Sequence, residues 1–393
     1  MYTFLFTSFL LFFLYDLIRR KESTRVALFM GVTLFLVVAL RAYSVGPDTS
    51  NYVSLYFTGV YGNDMRDMEA VFLGWNALWR NLYLGGQMYL VVCAVASVGL
   101  VLYSIWKTSR QRVWSYALFL TVYSWYFYLS GIRQGIAMGC FTMGVCLLNR
   151  EIDCIFSDDI CNVEGKKRGK SFSRRLWDDI VITFRRLFNR NTIFAWVFLF
   201  LAPMFHTTAF YALGMLLIVL FFRGNRTFYI IAIAVSFIAV VTGVFQQAEQ
   251  LLERAFMLVA GDLDISSRYE VYLDDDYIYD TSLYLVLKEC LPVTFIALLI
   301  LLYRKREFRM TERLFFWFVI MHNLFFYFSY MFRLNMYLHP FACIAIANLM
   351  FPVLKKKKFG IVHVLVIMYM LLSAYVGYKN LMQQPEFIYH FCF

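Results

Sequence analysis

A succession of long apolar runs leaves this chain few ways to fold. The clearest are Met1–Ile18, Val26–Leu40, Met88–Trp106, Val113–Leu129, Ile132–Leu148, Ile193–Phe222, Phe228–Phe245, Leu283–Tyr303, Leu314–Tyr330, Leu334–Leu354 and Ile361–Tyr378. A helix needs roughly 20 apolar residues to cross about 30 Å of hydrocarbon, and most of these runs come near that length. Only helices or closed barrels satisfy their own backbone groups in lipid. The runs do not alternate apolar and polar residues as barrel strands would, so the pattern predicts an all-α polytopic membrane helical bundle. We expect about ten to twelve transmembrane helices in a single integral membrane domain spanning 1–393. Composition agrees: 61% of the 393 residues are apolar and only 16% charged, against about 25% charged in soluble domains. Met1–Ile18 lacks a basic leader and a small-residue cleavage site, so it reads as the first span rather than a signal peptide.

The net charge of +11 is distributed by topology and is not a nucleic-acid signal. Basic clusters fall at Arg19–Arg25, Lys107–Arg112, Arg150–Arg190, Arg223–Arg226, Arg304–Arg313 and Lys355–Lys358. The positive-inside rule places them in the cytoplasm. Ile193–Phe222 has basic loops at both ends, so it must cross an even number of times, as a tight or re-entrant hairpin turning near Pro203–His206. Both termini then lie outside, together with the loops 41–87 and 246–282. Residues 149–192 form a basic cytoplasmic loop. Within it Phe172, Leu176, Ile180, Phe184 and Phe188 recur at helical spacing beside arginines, as in a helix lying on an anionic leaflet. On the outer face, Met68, Val71, Phe72, Trp75, Leu78, Trp79 and Leu82 predict an interfacial helix. Cys154 and Cys161 lie in a basic loop without a nearby histidine, so no metal site is expected.

In such a chain, polar residues near lipid depth carry the most information, because they are costly to keep there. Arg41, Arg133, Arg268 and Arg333 fall on the outer side, where topology does not call for them. A guanidinium can grip phosphate oxygens in pairs. It can also simply pair with Asp48, Glu69, Asp262 or Asp280. The turn Val45-Gly-Pro-Asp-Thr49 could present Asp48 as a base or a hydroxyl acceptor, or merely cap a helix. Ser130-Gly-Ile-Arg-Gln-Gly-Ile-Ala137 joins two spans through almost no loop and sets Arg133 and Gln134 just inside the surface. His206, at the hairpin tip, is either a proton acceptor or a packed, hydrogen-bonded imidazole. His322 reads as a helix–helix hydrogen-bonding residue beside Asn323, and His339-Pro340 as a kink. Asp262–Asp280 is an acidic, tyrosine-rich loop that could hold sugars, or a cation, or be plain solvated surface.

These motifs, in order, resemble the EpsG-type branch of Wzy-like polysaccharide polymerases. The likeness rests on Arg41…Gly46-Pro-Asp-Thr…Tyr52, Glu69 ahead of its amphipathic helix, Ser130–Ala137, Phe205-His-Thr-Thr-Ala209 and Arg333…Tyr337. Pro47 departs from the pattern, which would have a small polar residue there. The resemblance implies a glycosyltransferase at the outer face of the bacterial cytoplasmic membrane. Such an enzyme joins undecaprenyl-diphosphate-linked oligosaccharide repeats into an exopolysaccharide, O-antigen or capsule, without cofactor or nucleotide sugar. It further implies His206 or Asp48 as base, and Arg41, Arg133, Arg268 and Arg333 on the diphosphate. Glu69, Gln134 and Tyr52 would meet the glycan. A chain-length regulator and a flippase would be its partners. Alternatives are an O-antigen ligase sharing the donor, a transporter or flippase of the same lipid, and a membrane acyltransferase with His206 as base.

Overall fold

The computed structural model describes residues 1–19, 22–59, 68–121, 124–163, 192–222, 224–244, 283–303, 308–327, 333–349 and 360–392. Arg268, the Asp262–Asp280 loop, the 172–188 stripe and the side chains of Cys154 and Cys161 lie outside the described residues. In order, the helices are α1 (Tyr2–Arg19), α2 (Thr24–Ala39), α3 (Thr49–Thr58), α4 (Ala70–Asn81) and α5 (Gly86–Thr108). There follow α6 (Arg112–Thr121), α7 (Ile132–Val163), α8 (Ile193–Phe205), α9 (Ala209–Phe221) and α10 (Arg226–Val241). The last four are α11 (Leu283–Tyr303), α12 (Met310–Leu324), α13 (His339–Leu349) and α14 (Ile361–Gln383).

The outward surface is what marks this bundle as a membrane protein. Phe4, Ile18, Phe29, Phe194, Phe210, Val235, Ile238, Leu302 and Met368 are all more than half exposed. Water would not tolerate so continuous an apolar rind, whereas lipid makes it neutral. By length and composition, four described helices can each cross a bilayer alone: α1, α5, α11 and α14. Apolar but shorter are α2, α8, α9 and α10. Shorter again are α6 and α13, and their side chains are buried almost throughout. These two belong to the protein-facing centre, with α12 and the first half of α7, whose side chains are also mostly buried. Within the expected 113–129 span the described helical segments are α6, as far as Thr121, and Ser124–Phe127, from which a turn at 128–130 leads into α7.

Contacts sort the helix termini into two ends. At one end the Arg112 N–H donates to Glu22, the Arg110 N–H donates to Asn348, and Tyr303 packs edge-on against His363. Phe222 packs on Phe228, and Tyr229 on Phe308, at this same end. Arg19, Arg25, Lys107, Arg226, Arg309 and Arg313 belong there too, on helix ends adjoining these contacts. At the opposite end Tyr2 packs on Tyr389 and Trp125, and the α8–α9 tip meets the start of α7. The predicted basic sides thus share one end as far as they are described, and the two termini share the other.

Two glycines permit close approaches that fix this geometry. Gly139 of α7 faces the carbonyls of Ala96 and Ser97, where α5 widens into a π-helical turn at Val95–Gly99, and a Cβ there would collide with both. Gly46 adopts φ +89°, and a Cβ would strike the Leu129 carbonyl. Inside the bundle, Asn323 donates to Ser236 (3.2 Å) and Thr294 (2.9 Å), tying α10, α11 and α12 together. The helix–helix bonding expected of His322 is found at both residues, since the His322 imidazole also bonds the Glu289 backbone of α11. His322 itself stacks on Phe318, and His339, opening α13, meets that same ring edge-on.

Candidate functional site

The site assembles where five separate stretches converge at the Arg133 end. The Gly46-Pro-Asp-Thr turn docks on the end of the Ser124–Ser130 segment. Thr49 Oγ1 donates to the Leu129 carbonyl (2.8 Å), the Asp48 N–H donates to Ser130 Oγ (3.2 Å), and Ser130 Oγ donates back to Asp48 Oδ2 (3.0 Å). Asp48 stands at the N-cap position of α3 but makes no side-chain cap bond. Its carboxylate is exposed and faces Ser130 instead.

Arg133, in the first turn of α7, is held from two sides. Its Nε donates to Tyr52 Oη (3.3 Å) and its Nη1 to Glu69 Oε2 (2.9 Å), while the guanidinium lies over the Phe72 ring. Nη2 has no described partner. The side chain keeps 22% exposure, so a charged donor is left facing the rim. Glu69 uses both oxygens: Oε2 on Arg133, and Oε1 on the N–H of Thr207 at the α8–α9 tip (3.1 Å). One carboxylate therefore fastens the start of α7 to the hairpin. The predicted interfacial helix appears as α4. Its Trp75 packs edge-on against Phe205, just before the tip, and its Leu78 is half exposed.

The run Ile193–Phe222 is two helices, broken at His206-Thr-Thr208. Pro203 lies inside α8, two residues from its end, where the chain leaves helical geometry at His206. Burial pushes the His206 imidazole well below its ordinary pKa; the Glu69 carboxylate opposes this, and the Arg133 and Arg333 charges reinforce it. On balance the neutral ring is favoured. Its Nδ1 accepts from the Thr208 N–H (3.3 Å) and lies 2.7 Å from Thr208 Oγ1, which is 3.0 Å from Tyr337 Oη. Arg333 is exposed, and its carbonyl accepts from buried Gln134 Nε2 (2.8 Å). Tyr211 donates to Asn335 (2.8 Å), closing the same region.

Of the residues singled out from sequence, Asp48, Tyr52, Glu69, Arg133, Gln134, His206 and Arg333 thus come together. Gln134 and Glu69 are both engaged by protein groups of the cluster. Arg133 is paired with Glu69, and its Nη2 has no described partner. Arg41 stands apart. It is 1% exposed and donates to the Val38 carbonyl at the C-terminal end of α2, in electrostatic reach of Cys93, Tyr389, Tyr89 and Tyr2, with no carboxylate partner among the described residues. Sequence reasoning missed Thr208 and Tyr337 as partners of His206, although both lie inside the motifs that drew attention. It also missed the C-terminal tail. The Ala42 N–H donates to the His390 carbonyl, and the Gly46 N–H to that of Glu386, so the tail braces the turn carrying Asp48. No cluster of three or more metal-ligating side chains occurs among the described residues.

One end of this helical membrane bundle thus gathers a bridged arginine, a half-buried imidazole and an exposed carboxylate. Residues 24–153 and 180–391 match the EpsG family, so the chain belongs to that family and is a membrane protein of polysaccharide biosynthesis. Neither the curated proteins nor the solved structures gave a match.

Proposed function

We propose that this protein is a polysaccharide polymerase that transfers a growing glycan from undecaprenyl diphosphate onto a lipid-linked repeat unit, at the outer face of the bacterial cytoplasmic membrane. The acceptor hydroxyl oxygen attacks the anomeric carbon of the donor sugar. A new C–O bond forms, the bond from that carbon to the diphosphate oxygen breaks, and undecaprenyl diphosphate departs with the electron pair. The hydroxyl proton passes to Asp48, the exposed carboxylate of the cluster. Charge develops on the diphosphate, so preorganised cationic donors lower the barrier. Arg133 and Arg333 supply them.

The observation that carries this reading is Arg133: clamped through Nε and Nη1, with Nη2 unused at a half-open rim and His206 and Arg333 in electrostatic reach. A chain-length regulator and a flippase would act beside it. Incubating the purified protein in vesicles with a lipid-linked repeat unit and no nucleotide sugar should give a ladder of longer glycans. Transfer of a preformed chain to a different acceptor would point to a ligase. Movement of unaltered lipid between leaflets, with no ladder, would replace the proposal by a flippase.

A further inference from the structure

Resting on the reaction just proposed, we infer that Thr208 and Tyr337 are positioning residues that fix His206 as a neutral hydrogen-bond donor through Nε2–H, rather than as the base. The direction of each bond follows from its partners. A backbone N–H can only donate, so the Thr208 N–H at 3.3 Å makes Nδ1 an acceptor. The Thr208 hydroxyl, 2.7 Å from that nitrogen, must then donate to it as well. Its oxygen is left to accept the Tyr337 O–H at 3.0 Å. Thr208 and Tyr337 are buried, Tyr337 completely, so water does not compete with this relay.

A neutral imidazole with an acceptor Nδ1 carries its proton on Nε2. Nε2 then has no lone pair to take a proton from a sugar hydroxyl, but its N–H can donate to a phosphate oxygen. Arg133 and Arg333, whose charges His206 feels, would address the same diphosphate. Proton removal is left to a carboxylate, and of the two in the cluster Glu69 has both oxygens committed to Arg133 and Thr207. Sequence had His206 and Asp48 as equal candidates for base; the relay separates their roles.

The tautomer can be read without substrate, so its outcome stands apart from whether the chain polymerises glycan. In full-length protein labelled with ¹⁵N-histidine in lipid nanodiscs, the resonances lost in H206Q identify the ring among the five histidines. The account predicts a bare Nδ1 and a protonated Nε2 in the wild type. A protonated Nδ1 would overturn it. Thr208→Val should shift the ring toward a mixture of tautomers and lower chain growth at least tenfold, with Thr208→Ser restoring both. An unmixed ring and full activity in T208V would overturn the relay, and Y337F provides the second reading should T208V not insert. A glutamine amide can stand in for an Nε2–H donor but not for a base. H206Q should therefore retain measurable chain growth that H206A loses, whereas equal loss in both would contradict the donor role.

Discussion

Arg41 and Arg133 sit at the same end of the bundle, each an isolated arginine beside an apolar run, yet the fold treats them as opposites. Arg41 is almost wholly buried and spends its charge on a helix C-terminus, where carbonyls and the helix dipole favour a cation. Arg133 is held by a phenol oxygen and an opposite charge, Tyr52 and Glu69, and still faces outward with a spare donor. The difference teaches that an isolated outer arginine is not by itself a ligand site. What distinguishes the functional one is a clamp that orients the guanidinium without using it up.

Breaking the clamp at its centre should have the largest effect. Arg133→Ala is expected to abolish polymer growth, by about 10²–10³-fold or more, while the protein still inserts and elutes as a single species. Arg133→Lys should recover little, because a point charge cannot serve Tyr52, Glu69 and a ligand at once. Reading the glycan ladder of both variants at equal protein level checks this. Normal long chains would sink the site.

Next in size is Glu69, whose two oxygens join α7 to the hairpin. Glu69→Ala should cost on the order of 10–100-fold in chain growth, the scale of a lost supporting partner. Glu69→Gln should fall between it and wild type, since its amide oxygen can still accept from Thr207. A kinetic series on one substrate preparation would show whether the order holds.

Gly46 offers a purely conformational test. At φ +89° against the Leu129 carbonyl, Gly46→Ala should destabilise by about 1–3 kcal/mol and loosen the turn bearing Asp48. A lower unfolding temperature accompanied by weakened activity is the expected pair of results.

Arg41 should show the smallest catalytic effect. Arg41→Met removes a charge from a dry site whose Nε already lacks a partner, so chain growth should stay within about threefold. Replacing a buried charge by an apolar side chain is often close to neutral in stability. A loss of activity as deep as that of Arg133→Ala would erase the distinction between the two arginines.

Much of this was legible in the sequence, for physical reasons. Apolar runs of membrane length fix helices regardless of tertiary detail, and the parity of basic loops around Ile193–Phe222 required the break that the structure puts at His206–Thr208. Ser130–Ala137 declared itself because a charged residue next to almost no loop needs a reason. What spacing could not supply was pairing across distance. Nothing in the composition of Met68–Leu82 says that Glu69 reaches both Arg133 and Thr207. Nothing in Pro385–Phe391 says that the tail braces Ala42 and Gly46. Nor does an apolar run such as Val113–Thr121 say by itself whether it faces lipid or protein: the side chains of α6 are almost wholly buried.

The central claim is that Thr207, Arg133 and Arg333 share one outer surface, away from the basic end. Single cysteines at Thr207, Arg333 and Arg110, in a background with the native cysteines replaced by serine, can be probed in intact cells with a membrane-impermeant maleimide. We predict that positions 207 and 333 label from outside and that position 110 labels only after permeabilisation. Labelling of 207 and 333 from opposite sides of the membrane would contradict a common pocket.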